Sequence, residues 1–486
     1  MSKLFAAVDI GASSGRVIVG EVAGDAATLQ VVHRFPNGVV EHEGALHWDF
    51  DALYSEVLTG LAAAADYAVA AGGVIASIGI DTWAVDYGLV DADGELAGPP
   101  FSYRDGRGAA QVAHVHGIVG PERLYETTGL QHLPFNTIFQ LAAEKAKDLA
   151  DRQALLIPDL IACKLTGKRR TESTNASTTG LYDAVAGELA TEFLTALDLP
   201  AQLFPPLIEP GETVGTLLPA IAVRTGLPAA TPVVAVGSHD TASAVAAVPA
   251  TGSNFAFVSS GTWSLVGVEL DAPVLSEASR LANFTNERGV DGTTRYLRNV
   301  GGLWLLSESM RTWAQEADDA GSPTQSASEP ALSLPELLAA AAAEPSGGPL
   351  IDVDSEEFIA PGNMPGRILA AVSATGGTLE SRAPAVVRCI VDSLAAAYAT
   401  TVRQASQLSG KPVDVIHIVG GGSQNELLCQ LTANATGLPV VAGPVEATAL
   451  GNVLIQARAA GAAPAALPEL RAIVAASQPG TRFLPQ

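Results

Sequence analysis

One hairpin occurs twice, and this constrains the chain more than any other feature. Residues 5–9 and 16–22 read as strands around Gly11-Ala12-Ser13-Ser14-Gly15, and residues 254–260 and 263–269 read as strands around Ser259-Ser260-Gly261-Thr262. Each is a β-rich run, a tight turn of small residues, and a second run ending near a Gly and a Glu (Gly20-Glu21; Gly267-Val268-Glu269). One such turn is ordinary in hairpins. Its return at the start of each half of a 486-residue chain indicates duplication of an ancestral domain. Length agrees, because a single core rarely serves more than about 250 residues. The expected division is 1–243 and 244–486.

The remaining pattern is α/β. Residues 4–9, 16–22 and 29–35 read as strands, and 49–71 as a helix with Leu53, Val57, Leu58 and Leu61 on one face. A buried strand at 75–80 then ends in Asp81-Thr82-Trp83-Ala84. In the second half, a strand at 232–237 leads into Ser238-His239-Asp240-Thr241. A helix at 384–408 carries Pro384 in its first turn. A strand at 413–419, Gly420-Gly421-Gly422, a helix at 426–435, a strand at 439–442 and a helix at 446–459 follow. Trp304, within 303–306, reads as helix core, and 318–330, rich in Ser, Pro, Ala and acids, as a surface loop. Strands first, then alternating helix and strand, predict a mixed sheet flanked by helices.

Composition removes several function classes. A formal charge of −24 opposes a nucleic-acid or anionic-membrane surface, which needs clustered Lys and Arg. A polyphosphate must then be met locally, by backbone amides, a helix N-terminus or a metal ion. Cys163, Cys389 and Cys429 are too scattered for a disulfide framework or a metal cluster, which fits a reducing compartment. The apolar run at 4–8 is broken by Asp9 too early for a signal peptide, and no later run approaches the ~18–20 apolar residues of a membrane span. The expectation is a soluble cytoplasmic protein.

The first hairpin turn has small side chains and exposed amides, so a phosphate chain can approach its main chain. Ser13 and Ser14 add hydroxyl donors, Arg16 adds positive charge, and Asp9 ends a buried strand where it can hold hydrated Mg2+. The same residues would also make an ordinary polar turn. The second turn offers another hydroxyl-rich loop, and the three glycines free space for a ring or ribose before a helix N-terminus. The three loops together point to a nucleotide in a cleft between domains. Asp240 emerges from a run of small apolar residues, where its carboxylate can accept a hydroxyl proton or cap the following helix. Ser238, His239 and Asp240 are consecutive and diverge, so they are no hydrolase triad. Gly167-Lys168 is followed by Arg169 and makes no P-loop.

With these residues in hand, the sequence resembles the FGGY carbohydrate kinases of the actin and hexokinase superfamily, and among them the rhamnulokinases. The matching segments are VDIGASSGR (8–16), SIGIDTW (77–83), YRDGR (103–107), LPFNTIFQL (133–141), SHDTASAV (238–245), SSGTWSL (259–265), HIVGGGSQN (417–425) and AGPVEATALGN (442–452), with the region 299–306. The resemblance covers nearly the whole chain. It implies two actin-like (ribonuclease H-like) domains, each with a mixed sheet of five-stranded type flanked by helices, and ATP and Mg2+ in the cleft. It implies that Ala12, Ser13, Ser14, Gly15, Arg16, Thr262 and Gly421 bind ATP, that Asp9 positions the metal, and that Asp240 is the proton acceptor. His239, Thr241 and Asn299 would surround a ketose. Two positions depart from the pattern. Ala84 stands where glycine is expected beside the sugar, and Ser307 where a longer glutamine would reach the nucleotide.

The implied reaction is transfer of the γ-phosphoryl group of MgATP to the 1-hydroxyl of L-rhamnulose. A sister kinase for L-fuculose or L-xylulose is the nearest rival, because epimers are told apart by a few hydroxyl contacts. A non-catalytic sugar sensor on the same fold is a different class. A sensor would be expected to lose Asp240 or Asp9 or to gain a DNA-binding domain. The expected partners are a small ketose and MgATP, with no nucleic acid and no membrane, in a monomer or small homo-oligomer.

Overall fold

The computed structural model describes residues 2–145, 149–320 and 333–486. The sheets and the helices beside the site begin, in chain order, with β1 (Ser2–Ile10), β2 (Ser14–Ala23), β3 (Ala26–Pro36), α1 (Phe50–Ala70), β4 (Gly73–Thr82), β5 (Thr213–Thr216), β6 (Pro232–Val234) and α2 (Asp240–Ala246). Then come β7 (Phe255–Ser260), β8 (Trp263–Leu270), β9 (Thr285–Arg288), β10 (Thr294–Gly301), α3 (Trp304–Ala320) and α4 (Ala383–Ser409). The chain ends with β11 (Val415–Val419), α5 (Glu426–Thr436), β12 (Val440–Ala442), α6 (Ala447–Ala459), α7 (Leu467–Ser477) and β13 (Thr481–Phe483).

The chain packs as two units. The first comprises residues 1–253, 269–297 and 446–479, and the second 254–268, 298–445 and 480–486. A division into consecutive halves at 243/244 therefore differs from the packing, which returns α6 and α7 to the first unit. The cause lies in β1, which is apolar on both faces and needs two covers. Leu4, Ala6 and Val8 pack with Val17 and Val19 against Leu53, Val57, Leu58 and Leu61 of α1. Phe5 and Ala7, on the opposite face, pack with Ile18 against Leu450, Val453 and Leu454 of α6 and Leu470 and Val474 of α7. By strand alternation Asp9 belongs to this second face.

The first unit's sheet has the order β5-β6-β4-β1-β2-β3. β1, β2 and β3 form an antiparallel meander, β4 and β6 run parallel within the sheet, and β5 is antiparallel at the edge. It thus has six strands where five were expected. The Thr-Val-Gly-Thr of β5 is too short and polar to read as a strand. β6 stops at Val234 instead of residue 237, because Ala235 N–H turns to the Glu212 carbonyl (2.8 Å) while Thr82 N–H takes the Ser238 carbonyl (2.9 Å). Asp49 caps α1, accepting from Ala52 N–H at 3.1 Å.

The second sheet has seven strands and repeats the scheme as β9-β10-β8-β7-β11-β12-β13, with β9/β10 and β7/β8 antiparallel, β7/β11 and β11/β12 parallel and β12/β13 antiparallel. The duplicated hairpin thus sits at corresponding places in both sheets, β1–β2 and β7–β8. α4 carries Pro384 in its first turn as expected. Among the described residues it is the one helix long and apolar enough to cross a membrane, which qualifies the expectation that no segment comes close. Most of it is buried, with Val386, Ile390, Leu394 and Tyr398 in the core, so its composition is that of a core helix. Leu305 and Leu306 of α3 are core, whereas Leu303 and Trp304 are half-buried, the indole donating to the Phe358 carbonyl at 3.0 Å. The segment 318–330 ends α3 as far as Ala320, and from residue 321 it lies outside the described residues.

Candidate active site

The first unit gathers three carboxylates, Asp9, Asp81 and Glu446, around one guanidinium. Asp9 on β1 is the register partner of Arg16 on β2 and of Asp81 on β4. Arg16 Nη2 lies 2.8 Å and Nε 3.1 Å from Asp9 Oδ2, and Nε also reaches Glu446 at 3.0 Å. Glu446, just before α6, bridges to Arg34 as well (3.0 Å). Asp81 is fully buried, accepts one hydrogen bond on Oδ2 from Asn452 of α6 (2.6 Å), and has no partner on Oδ1. A buried amide ladder aims that donor: Gln456 Nε2 donates to Asn452 Oδ1 (2.6 Å) and to the Ala6 carbonyl (3.1 Å), while Ser77 donates to Gln456 Oε1 (2.6 Å). Gly79 is required beneath it, since a Cβ there would stand 2.3 Å from Asn452 Oδ1.

Burial pushes the Asp9 carboxyl up; Arg16 opposes this, Asp240 and Glu446 add to it, and the result is about 6. Burial and the neighbouring Asp9 hold Asp81 well above the usual carboxylate range, with Asn452 opposing. Arg16 was expected to add positive charge toward a phosphate chain. In the folded chain its guanidinium is ion-paired to Asp9 and Glu446.

Asp240 is the first residue of α2, with His239 at the N-cap. It does not cap the helix, and its Oδ1 instead accepts from Thr241 Oγ1 at 3.0 Å. His239 Nε2 lies 3.5 Å from the same oxygen. The preceding turn hangs on a buried carboxylate: Glu172 accepts from Ser238 N–H (3.1 Å) and Oγ (2.7 Å), from Thr174 N–H (2.9 Å) and Oγ1 (2.6 Å), and from Asn175 N–H (3.1 Å). α2 lies against α6 at Gly451, where any Cβ would meet the Ser243 carbonyl at 1.8 Å. One helix, α6, therefore buttresses both the Asp81 carboxylate and the helix that carries Asp240.

Ala84 follows β4 and is half-buried. Its neighbour Val85 takes φ +68°, a strained conformation for a β-branched residue, and its carbonyl accepts from Thr137 Oγ1 at 2.7 Å. Asp86 anchors this turn. Its Oδ2 receives the indole N–H groups of Trp48 (2.7 Å) and Trp83 (3.0 Å) and the Tyr103 N–H (3.0 Å), and its Oδ1 receives Gln140 Nε2 (3.0 Å).

The turn carrying Ala12, Ser13 and Ser14 is closed by Gly11 N–H to the Ser14 carbonyl (2.9 Å). Asn37 fixes it from outside, through its Nδ2 to the Gly11 carbonyl (2.8 Å) and its N–H to the Ser13 carbonyl (3.1 Å), leaving Ser13 and Ser14 exposed. Gly15 serves packing, because a Cβ would sit 2.2 Å from the Phe35 ring.

The second unit holds the other expected residues. Thr262 lies in the β7–β8 turn, and its carbonyl accepts from Trp304 N–H (3.2 Å) at the start of α3, where Ser307 is exposed. Gly302 permits this docking, since a Cβ would meet the Thr262 carbonyl at 2.5 Å. Asn299 is on β10. Of the three glycines, Gly420 and Gly422 press on Ser260, with would-be Cβ atoms 2.9 Å and 2.0 Å away, while Gly421 opens onto free space. They lead into a 3-10 turn, Gly421–Gln424, and not directly into α5, whose N-terminus is capped by Asn425 (3.0 Å to Leu428 N–H).

The first unit therefore brings together Asp9, Arg16, Ala12–Ser14, His239, Asp240 and Thr241. The second docks Thr262 on the start of α3, which carries Ser307 further along, and places Asn299 and Gly421 on other elements of the unit. Sequence reasoning missed Asp81, Glu172, Glu446, Asn452 and the pair Glu287–Arg295 behind His239. Asp81 stood in a quoted segment and, as an acid ending a buried strand, carried the same signal as Asp9. Among the described residues no three His, Cys, Asp or Glu form a ready metal cage. Two adjacent buried carboxylates, one with an unpartnered oxygen, fit a divalent ion held by few protein ligands and completed by phosphate and water.

Models of the FGGY family of carbohydrate kinases match twice, the N-terminal domain over residues 4–247 and the C-terminal domain over 256–460. The chain is 41% identical over 491 aligned residues to a rhamnulokinase of Bacteroides thetaiotaomicron, covering 100% of this chain and 96% of that one. It is 37% identical over 458 residues to a rhamnulokinase of Bacillus subtilis (94% and 90%). Among solved structures, a gluconate kinase from Lactobacillus acidophilus superposes with a TM-score of 0.78 at 16% identity (100% and 94%). A xylulose kinase from Rhodospirillum rubrum gives 0.77 at 18% (100% and 94%). These structures share the two-domain α/β fold expected from the sequence. By matches that span nearly its whole length, the chain belongs to the FGGY family of carbohydrate kinases.

Proposed function

We propose that this carbohydrate kinase acts on L-rhamnulose, transferring the γ-phosphoryl group of ATP to the 1-hydroxyl in the catabolism of L-rhamnose. The observation that carries the reading is near-full-length identity of about 40% to rhamnulokinases, with the acid of the His-Asp-Thr segment half-buried at the first turn of α2. Asp240 accepts the proton of the 1-hydroxyl as its oxygen bonds to the γ-phosphorus and the bond from that phosphorus to the β-phosphate oxygen breaks. L-Rhamnulose 1-phosphate and ADP are the products. Such a base contributes roughly 10²–10⁴-fold, and alignment and electrostatics supply the remainder.

Asp9, with Asp81 beside it, would hold Mg2+, which when bound offsets charge on the phosphates. Arg16 holds the Asp9 carboxylate in place. The Ala12–Gly15 turn, Thr262, Ser307 and Gly421 take the nucleotide, and Ala84, His239, Thr241 and Asn299 take the sugar. The chain is read as a cytoplasmic monomer or small homo-oligomer.

The test is ADP release with L-rhamnulose, L-fuculose, L-xylulose, D-xylulose and glycerol, with Asp240→Asn beside the parent. Preference for L-rhamnulose, lost in the variant while ATP still binds, is the expected result. Preference for another ketose overturns the substrate but not the base, and the absence of sugar-dependent turnover overturns the enzyme.

A further inference from the structure

Behind His239 lies a pair of charged residues that the reaction as described does not use. Arg295 on β10 is fully buried, and Glu287 on β9 nearly so. They face one another across the β9–β10 hairpin, where Glu287 is the register partner of Arg295. Arg295 Nη1 lies 2.9 Å from Glu287 Oε2. Its Nε donates to the Arg288 carbonyl (3.1 Å) and its Nη2 to the Thr174 carbonyl (3.5 Å). Two of its nitrogens also converge on one imidazole atom: Nη1 is 3.2 Å and Nη2 3.3 Å from His239 Nδ1.

Burying an ion pair this completely is expensive and by itself adds little stability. A guanidinium donates and never accepts. A proton on His239 Nδ1 would therefore face two N–H groups, whereas an unprotonated Nδ1 accepts from them. Glu287 Oε2 also lies 3.2 Å from Nδ1, yet it is closer to the guanidinium and serves as its counter-ion. Burial pushes the Glu287 carboxyl up, but the Arg295 guanidinium opposes this and the carboxyl is held below the usual range, so the counter-ion is charged.

We propose that Arg295, held by Glu287, is a positioning residue for phosphoryl transfer: it confines the His239 proton to Nε2 and so presents an N–H to the Asp240 carboxylate. The proposal rests on the reading of Asp240 as the base. Its consequence is atomic. The His239 Nε2–H and the Thr241 hydroxyl both address Asp240 Oδ1, at 3.5 and 3.0 Å, which leaves Oδ2 as the oxygen that takes the sugar proton. In the opposite tautomer a lone pair on Nε2 would face the carboxylate and push it out of register.

The deciding experiment is long-range 1H–15N correlation on the full chain labelled with 15N-histidine, the His239 signals being assigned by their loss in His239→Gln. An unprotonated Nδ1 with a protonated Nε2 is expected. A proton on Nδ1, or on both nitrogens, overturns the proposal. The paired change Arg295→Gln with Glu287→Gln removes both charges at once, so no lone charge is left buried. It should lower kcat by about tenfold or more and leave KM for ATP within about twofold, with mixed His239 tautomers. Unchanged kcat with an unchanged spectrum overturns the positioning role. The parent spectrum decides the tautomer even if the paired variant does not fold. If instead Asp240→Asn retained turnover, the base assignment would fall while the tautomer result stood.

Discussion

Asp81 stands beside Asp9 across the parallel β1–β4 pairing and takes its hydrogen bond from Asn452, leaving Oδ1 bare in a site with no solvent access. Two buried carboxylates side by side each disfavour the other's charge, and burial disfavours both. The ligand-free protein thus holds an electrostatic cost that a cation would relieve, a pattern typical of functional sites. Asp81→Asn should stabilise the ligand-free chain by on the order of 1 kcal/mol, raising Tm by about 1–2 °C. It should also shrink the further rise that MgATP produces. Thermal unfolding with and without MgATP measures both, and a lower Tm in the ligand-free variant would contradict the repulsion.

Asp9, raised to about 6, gives a pH dependence with a definite sign. Between about 3.8 and about 6 the native state keeps a proton that the unfolded chain has released, so this group makes ligand-free stability fall as pH rises through that window. Binding runs the other way. A proton on Asp9 competes with Mg2+, so MgATP affinity should weaken below about pH 6, by up to about tenfold per unit, and level off above it. Glu446→Gln removes one of the anions that raise Asp9 and should shift the break to lower pH. Calorimetric titration from pH 5 to pH 8 would show this, and a break at the same pH in the variant would refute Glu446's contribution.

Asp86 ties four donors from four parts of the first unit into the turn that carries Ala84. Burial pushes its carboxyl up to about 6, with Gln140, Trp48, Trp83 and Tyr103 opposing. Asp86→Asn turns an amide NH2 toward groups that can only donate, leaving at least one buried N–H unmatched. Stability should drop by about 2–4 kcal/mol. Because the turn lies on the proposed sugar side, KM for the sugar should rise while KM for ATP holds. Denaturant midpoints and paired KM values check this, and an equal rise in both KM values would place the turn elsewhere in the reaction.

Much of this was legible in the sequence because it is written in local pattern. Strand, turn and strand recur at β1–β2 and β7–β8, and Leu53, Val57, Leu58 and Leu61 keep helical spacing and are buried on α1. Asp9 and Asp240 stood out as acids after apolar runs. What was not legible depends on which distant segments meet. Nothing near Asn452 shows that it serves Asp81, 371 positions away. Nothing near Glu287 and Arg295 in the sequence shows that the fold sets them behind His239. The ion pair of Arg16 with Glu446 was hidden for the same reason, since Glu446 comes from the far end of the chain.

The triple glycine separates packing from binding, and single methyl groups can tell the two apart. All three residues look alike in sequence, but a Cβ on Gly422 would lie 2.0 Å from Ser260 Oγ, and one on Gly420 2.9 Å from the Ser260 carbonyl at φ +82°. A Cβ on Gly421 meets nothing within 4 Å. Gly422→Ala must therefore shift the loop or the end of β7, and should cost about 1–3 kcal/mol in stability. Gly421→Ala should leave the unfolding midpoint nearly unchanged, because its space is empty protein-side and its φ is not left-handed. If that space is where the nucleotide lies, the added methyl raises KM for ATP severalfold with little effect on KM for sugar. Unfolding midpoints and KM for both substrates, measured on the two variants together, test the assignment. A Gly421→Ala chain that is stable and has an unaltered KM for ATP would move the nucleotide away from this loop.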